Sequence, residues 1–569
     1  MPANRRSSFV SRHWSDIAVA AAALLVFVGY IAVELRRNGA LGFPLDDSWI
    51  HLTFARNLAQ GRGFVFNPGE PVAGSTAPLW TLLLAFFHIL FRSASAMVWV
   101  AKALGLVFLC VGGLFAPRIA QNVTQNRWAG LGAGLAVVTL CHLDWGMVSG
   151  LEMTLSAALT LAAIHYYLES VSEARSPEIP SGREIPRKRS FVVPWVLLGL
   201  SVYARPESFL LLGLVTFDAL LRKLWFKQKV TYWRGLAVYV VTVLPYFMLN
   251  YTLSHSPFPM TYLAKASRIS MFTALAIGKW NQVRLLLTRA PWFYFREFSE
   301  LVWQANPVLA ILTGVGVVAL VIQAIRVRAG SSLLLPLVAL LYVPLMGVFV
   351  PFTGPGFQNG RYVGNIVAVA ALVAVIATAL GLRLIRNRGA RYAVGATLAV
   401  LAGFNTVSTG IASSGNVARA ESSINRTQVD VGRWLHENAP AEAVVACNDI
   451  GAIGYFGQRR VLDLMGLVTP EIIPHRRQQA PGQENLAAQA FIREKKPDYV
   501  AIFPAWFPFL KDEQYLEPVH VIDLPDNTVT AFDVRPQTRT FAGILVLDLP
   551  VIPQRTIMAV FRCNWPGEQ

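Results

Sequence analysis

The chain has 569 residues, 54% of them apolar and only 15% charged, with a mean hydropathy of +0.46. A water-soluble fold has too little interior to hide that much apolar surface, which leaves a polytopic membrane protein. The formal charge of +17 does not point to nucleic acid, because the Lys and Arg residues gather in short clusters between apolar runs, where the positive-inside rule places them.

Met1 to Asp16 carries Arg5, Arg6 and Arg12 and leads into an apolar run that reaches Val33. A cleavable signal has a short apolar core and a small-residue cleavage site. Neither is evident, so the run reads as an uncleaved first span with its N-terminus in the cytoplasm. With a spanning length of about 20 apolar residues, further segments follow near 75–91, 97–116, 128–144, 150–168, 191–203, 207–221, 235–252, 303–325, 331–351, 363–382 and 392–411. Basic stretches at Arg183 to Arg189, Arg222 to Lys229, Arg326 to Arg328 and Arg383 to Arg391 mark cytoplasmic loops.

From 191 onward the segments alternate consistently and place everything after 411 outside. If every earlier segment crossed, the basic loop at 169–190 would also lie outside, so one segment between 75 and 168 does not cross; the sequence does not say which. The balance is about eleven spans in a multi-pass cell-membrane protein, with a membrane domain over 1–411 and an extracytoplasmic domain over 412–569.

Between the first two segments stands Phe43-Pro44-Leu45-Asp46-Asp47-Ser48-Trp49-Ile50, a carboxylate doublet at the membrane surface. Charge is costly to dehydrate there, which makes the pair a functional-site hypothesis. The apolar positions Trp49, Ile50, Leu52, Phe54 and Leu58, ending at Gly61-Arg62-Gly63, describe a helix lying on the membrane. Helix capping accounts for one aspartate at most. Two neighbouring carboxylates at a low-dielectric surface repel, so one has a raised pKa, a state suited to taking a proton from a sugar hydroxyl.

The tail alternates helix and strand: an amphipathic helix from Glu421 to Asn438, a buried strand at Ala443–Cys447, a helix over Asn485–Lys496 and a strand at Pro497–Phe503. This is the pattern of a compact α/β domain. No Gly-rich phosphate loop opens any of these helices, which argues against a nucleotide-sugar pocket. The four cysteines, at 110, 141, 447 and 563, show no CxxC spacing and imply no metal site; the tail pair is placed to bond only if that domain is exported.

The run Asp46-Asp47-Ser48-Trp49-Ile50, Phe54-Ala55-Arg56-Asn57-Leu58, Gly61-Arg62-Gly63, Phe66-Asn67-Pro68-Gly69-Glu70-Pro71 and Thr76-Ala77-Pro78-Leu79-Trp80 resembles the first outer loop of GT-C-fold glycosyltransferases. Within them it is most similar to the branch containing the mycobacterial terminal arabinofuranosyltransferases. Ser149-Gly150-Leu151-Glu152, Ala204-Arg205-Pro206-Glu207 and Gly360-Arg361-Tyr362 resemble later elements of the same family. So does Phe258-Pro259-Met260-Thr261-Tyr262-Leu263-Ala264-Lys265, although Met260 stands where the family often has Asn. Any hydrogen bond assigned to that Asn is thereby put in question.

The resemblance implies a mostly α, polytopic GT-C helical bundle with an extracytoplasmic α/β domain. It implies inverting transfer of a sugar, hexosyl or pentosyl, from a polyprenyl-phosphate carrier to an acceptor hydroxyl in cell-envelope glycan assembly. Asp46 or Asp47 would be the catalytic base. Arg205, Lys265, Arg268 and Arg361 fall in outer segments and are suited to the leaving phosphate, and Glu152, Glu207 and Tyr262 complete the expected binding set. Each has a plain structural reading as well: Arg205 with Glu207 as an ion pair, Arg361 as a span-end anchor, Lys265 as a solvated charge, Glu152 as the partner of an arginine. No cofactor is required; adjacent carboxylates with a phosphate would also suit Mg²⁺ or Ca²⁺. Expected partners are the lipid-linked donor, a glycan, lipid or protein acceptor, and membrane lipid, with no nucleic acid. The rival classes are a transporter, disfavoured by the lack of an internal repeat, and a non-catalytic scaffold with an exported binding domain.

Overall fold

The computed structural model describes residues 5–173, 191–227, 232–266, 270–327, 333–351, 354–479, 484–508, 510, 513–524, 539–541, 545–547 and 556–566. In chain order the helices of the membrane part are α1 (Arg5–Asn38), α2 (Asp47–Ala59), α3 (Pro78–Leu90), α4 (Ala94–Thr124), α5 (Arg127–Val138), α6 (Cys141–Val148), α7 (Met153–Glu173), α8 (Val193–Ala204) and α9 (Phe209–Leu224). They continue with α10 (Tyr232–Ser254), α11 (Met260–Ala266), α12 (Met271–Ala276), α13 (Trp280–Ala305), α14 (Pro307–Val327), α15 (Leu334–Phe349), α16 (Gly364–Leu384) and α17 (Arg388–Arg426). The tail adds α18 (Gln428–Asn438), β1 (Val444–Cys447), α19 (Ile450–Gly457), β2 (Arg460–Asp463), α20 (Ile472–Gln478), α21 (Glu484–Lys495), β3 (Tyr499–Ile502), β4 (Leu516–Leu524), β5 (Arg539–Phe541), β6 (Leu545–Leu547) and β7 (Thr556–Cys563).

Every segment expected to span is helical. Among the described residues six helices are long and apolar enough to cross a membrane, and α5 with α6, bent by 53° at their junction, makes a seventh if the pair is one span. α7, α8, α9 and α15 complete a path of about eleven traverses whose ends alternate between two faces. The tail-side face is fixed by contacts that converge there: Ser48 Oγ donates to Ser149 O at 2.7 Å, Ser254 Oγ accepts from Ala73 N at 2.8 Å, and Arg361 reaches Asp47. At the opposite ends Arg383 donates to Thr124 O.

The segment that does not cross is α3. Its beginning is tied to α2, since Ser75 Oγ bridges Thr81 Oγ1 at 2.8 Å and His51 Nδ1 at 3.1 Å. Its end, at His88 and Ile89, shares a cavity with Arg433, His436 and Tyr455 of the tail. Both ends therefore lie on the tail side, and α2 and α3 run alongside each other at the surface.

In the tail five strands form a sheet in the order β2-β1-β3-β7-β4, parallel across β2, β1 and β3 and antiparallel across β3, β7 and β4; β5 and β6 pair separately. One sheet face carries Ala446, Leu462, Val500 and Ile502 against Phe491 and Ile492 of α21. On the other, Val445, Cys447, Ala501 and Val560 meet Val431 and Leu435 of α18 in a core that also takes in Ile50 and Phe54 of α2 and Met260 of α11. The tail thus shares a hydrophobic core with the surface helices of the membrane part. Position 412 falls inside α17, which runs unbroken from Arg388 to Arg426. Cys447 and Cys563 are free thiols; their strands β1 and β7 are separated by β3, so a tail disulfide is not formed.

Candidate active site

The doublet is divided by the helix it opens. Asp46 is the N-cap residue of α2 and Asp47 its first residue, and successive helical residues point about 100° apart. Asp47 faces the bundle, where Arg361 Nη1 donates to its Oδ2. Asp46 faces the tail and accepts the backbone N–H groups of Gly451 at 2.6 Å and Ala452 at 2.7 Å. Those are the first donors of α19, whose own N-cap residue, Asp449, makes no capping bond. A membrane-domain carboxylate therefore caps a tail helix. Gly451 is needed for this approach, because a Cβ there would collide with Asp46 O.

The different partners give the two carboxylates opposite character. Burial, together with the nearby charge of Asp449, raises the Asp46 pKa well above the usual carboxylate value despite the two N–H bonds. Burial would also raise Asp47, but Arg361 and Lys265 outweigh it and hold Asp47 low, as a carboxylate. Of the expected pair Asp47 lines the cavity described below, whereas Asp46, expected as the alternative base, is engaged as a helix cap.

Around Asp47 the chain assembles a cluster of charges from distant segments. Arg205, in the extended residue between α8 and the short turn Pro206–Ser208, donates to Glu152 and lies 3.4 Å from Glu207 Oε2. Glu152 follows the left-handed Gly150 in the loop between α6 and α7 and is fully buried. His51 Nε2 stands 3.4 Å from its Oε2. Burial alone would raise Glu152, yet Arg205 and then His51 hold it well below the ordinary range. Arg361 follows Gln358, Asn359 and Gly360, with φ of 48°, 59° and 73°. Left-handed backbone at two non-glycine residues is costly and concentrates at functional sites. It sets Gln358 Oε1 2.7 Å from Arg361 Nη1.

At the centre of the cluster is Tyr362. Its hydroxyl accepts from Lys265 Nζ at 3.0 Å, and its ring centroid lies 4.5 Å from the Arg205 guanidinium and 5.2 Å from that of Arg361. Burial would raise the phenol, but Lys265, Arg361 and Arg205 together lower it. Among the described residues, Lys265 forms no ion pair with a carboxylate.

These groups form one end of a cavity of about 700 Å³. Asp47, His51, Arg205, Glu207, Lys265, Arg361 and Tyr362 line the polar end, with Tyr262 nearby and Leu467 contributed by the tail. Phe209, Leu214, Phe217, Phe247, Leu341, Leu345 and Phe349 line the apolar limb. Glu152 sits behind Arg205 rather than in the wall. Arg268 lies outside the described residues. The sequence did not single out Tyr362, which stands only within the Gly360-Arg361-Tyr362 motif, or His51, which belongs to no motif.

The donor set does not fit a divalent cation. The two aspartates that would share it face opposite ways, Asp47 and Glu152 are each engaged by an arginine, and no group of three or more His, Cys, Asp or Glu able to hold a metal occurs among the described residues.

The architecture has solved counterparts. Archaeal oligosaccharyltransferase AglB from Archaeoglobus fulgidus, in complex with an inhibitory peptide and a dolichol-phosphate, superposes with a TM-score of 0.59 at 13% identity, over 90% of this chain and 73% of that one. ArnT from Cupriavidus metallidurans, bound to undecaprenyl phosphate, matches with a TM-score of 0.52 at 12% identity over 97% and 98% of the two chains. The chain has a GT-C fold. Arabinofuranosyltransferase AftD from Mycobacteria aligns at a TM-score of 0.40 and 13% identity over 96% of this chain and 41% of that one, too loose to carry the arabinofuranosyl branch. Residues 418–542 match the model of a domain of unknown function, DUF8728. No curated protein sequence matches the chain.

Proposed function

We propose that this GT-C chain is a membrane glycosyltransferase that moves a sugar from a polyprenyl-phosphate carrier to an acceptor hydroxyl on the outer face of the cell membrane. The observation that carries the reading is one cavity with a three-cation cluster at one end and an apolar limb at the other, the shape of a phosphate joined to an isoprenoid chain. AglB and ArnT, which share the fold, have been solved in complex with dolichol-phosphate and undecaprenyl phosphate respectively.

In this reading the isoprenoid lies along Phe209, Leu214, Phe217 and Leu345, and the phosphate meets Lys265, Arg205 and the Tyr362 hydroxyl. Lys265 supplies charge that is not taken up in a direct ion pair among the described residues, and Arg205 supplies a planar fork. The acceptor hydroxyl attacks the anomeric carbon from the face opposite the phosphate, inverting it. The bond from that carbon to the phosphate oxygen breaks, its electron pair stays on the phosphate beside the cations, and Asp47 takes the hydroxyl proton. Arg361 holds Asp47 ionised and oriented.

The basic loops on the opposite face favour a cytoplasmic N-terminus and an extracytoplasmic tail, with a membrane domain to about residue 411 and the tail beyond it. We place the reaction in cell-envelope glycan assembly, with a hexosyl or pentosyl group transferred. The test is incubation of the purified, lipid-reconstituted chain with a panel of polyprenyl-phosphate sugars and acceptors. Consumption of a carrier with release of polyprenyl phosphate is expected, and no consumption of any carrier overturns the reading.

A further inference from the structure

A second cavity, of about 590 Å³, lies at the far end of α2 from Asp47, between the ends of α2 and α3, the start of α4 and the tail helices α18 and α19. Its charge is lopsided. Arg56, Arg92 and Arg433 line it together with His88 and His436, against one carboxylate, Glu437.

Two of the cations are held against aromatic rings. Arg56 lies 4.7 Å from the Tyr455 ring centroid while donating to Tyr455 O at 2.6 Å, and Arg433 lies 5.4 Å from the Phe456 ring. Arg92 is exposed and forms no ion pair among the described residues. His88 is only 4% exposed, and its Nε2 has no hydrogen-bond partner among the described residues. A buried imidazole nitrogen on the wall of a cationic cavity is a polar atom awaiting a partner.

The depth of the cavity narrows the ligand. Ala94, in its wall, begins the 31-residue apolar helix α4, so the cations stand where the chain enters the hydrocarbon. Beside them α3 turns Leu82, Phe86, Ile89 and Leu90 outward, each more than half exposed. Cations at headgroup level above an apolar rim match an amphiphile with a negative head. A soluble anion would leave that rim unused. We infer that this cavity is a binding site for the phosphodiester headgroup of an anionic phospholipid, whose acyl chains lie over α3. The lipid then clamps α2, the helix that presents Asp47, between the membrane and the tail.

The test uses the full chain purified from mixed micelles of phosphatidylglycerol and phosphatidylcholine, with retained lipid counted by native mass spectrometry. The wild type is expected to keep phosphatidylglycerol in preference, and the R92Q/R433Q variant to lose that preference about tenfold with an unchanged thermal transition. Leu90→Gln, on the apolar rim, is expected to lower retention without changing the charge of the site. Equal retention by wild type and R92Q/R433Q, or no preference in the wild type, overturns the site. Inorganic phosphate and glycerol phosphate are the soluble arm; displacement of the lipid by either at equal concentration shows a free-anion site and overturns the lipid assignment.

Discussion

Arg361 and Asp47, 314 residues apart in the chain, meet through one guanidinium nitrogen: Nη1 donates both to Asp47 Oδ2 and to Gln358 Oε1. The pair fixes the carboxylate beside the cavity and keeps it ionised, the state needed to accept a proton. Asp47→Asn retains size and one acceptor but cannot take the proton, so turnover is expected to fall about 10²–10⁴-fold, the usual contribution of a positioned acid or base. Binding of the lipid-linked donor, followed by tryptophan fluorescence, should change only a few-fold. Near-normal turnover in this variant would remove Asp47 from the chemistry.

Asp46 predicts a different phenotype one residue away. Asp46→Ala leaves the N–H groups of Gly451 and Ala452 without their acceptor, each costing about 1–3 kcal/mol if buried and unsatisfied. The expected result is faster hydrogen exchange at the start of α19 and easier proteolytic release of the tail, with turnover reduced but its pH profile unchanged. An exchange pattern identical to the wild type would show that this cap does not dock the tail.

Lys265 and Tyr362 address the donor rather than the acceptor. Loss of one charge-assisted bond to a phosphate is worth about 1.5–3 kcal/mol, which corresponds to roughly 10–150-fold in affinity. Lys265→Ala should therefore raise the KM for the polyprenyl-phosphate sugar by that order while kcat falls less, and Lys265→Arg should recover part of it. Tyr362→Phe removes the hydroxyl that Lys265 reaches at 3.0 Å and should shift donor KM in the same direction by a smaller factor. Unchanged KM in all three variants would place the phosphate elsewhere.

The apolar runs announced the bundle because a segment about 20 residues long with few charges has nowhere stable to go except the hydrocarbon. α3 was indistinguishable from a span on that ground: the run 75–91 is as apolar as its neighbours, and it is the cavity that its far end shares with Arg433, His436 and Tyr455 that places it on one face. The doublet was legible as a site because charge at a membrane surface demands a reason. Its division was not, since the partners that separate Asp46 from Asp47 lie at Gly451 and Arg361, hundreds of residues downstream. Tyr362 was hidden for a related cause: of the three cations that set its character only Arg361 adjoins it in the chain, while Arg205 precedes α9 and Lys265 lies in α11.

Asp449 offers a pH test of the junction. Its carboxylate accepts Gln428 Nε2 at 2.8 Å and Asn448 Nδ2 at 3.0 Å, and burial, more than these bonds offset, lifts its pKa from 3.8 to about 6. The folded chain therefore holds this proton more tightly than the unfolded chain does. Its contribution to stability is complete below the unfolded value and is lost as pH rises through about 6. Asp449→Asn keeps the acceptor for Gln428 and removes the buried charge, so the variant should melt above the wild type at pH 8. The difference should shrink as the pH is lowered through 6 and vanish near 4. A melting difference that is flat across that range would mean that Asp449 is not a strained carboxylate, and that Asp46 caps α19 without a charged neighbour opposing it.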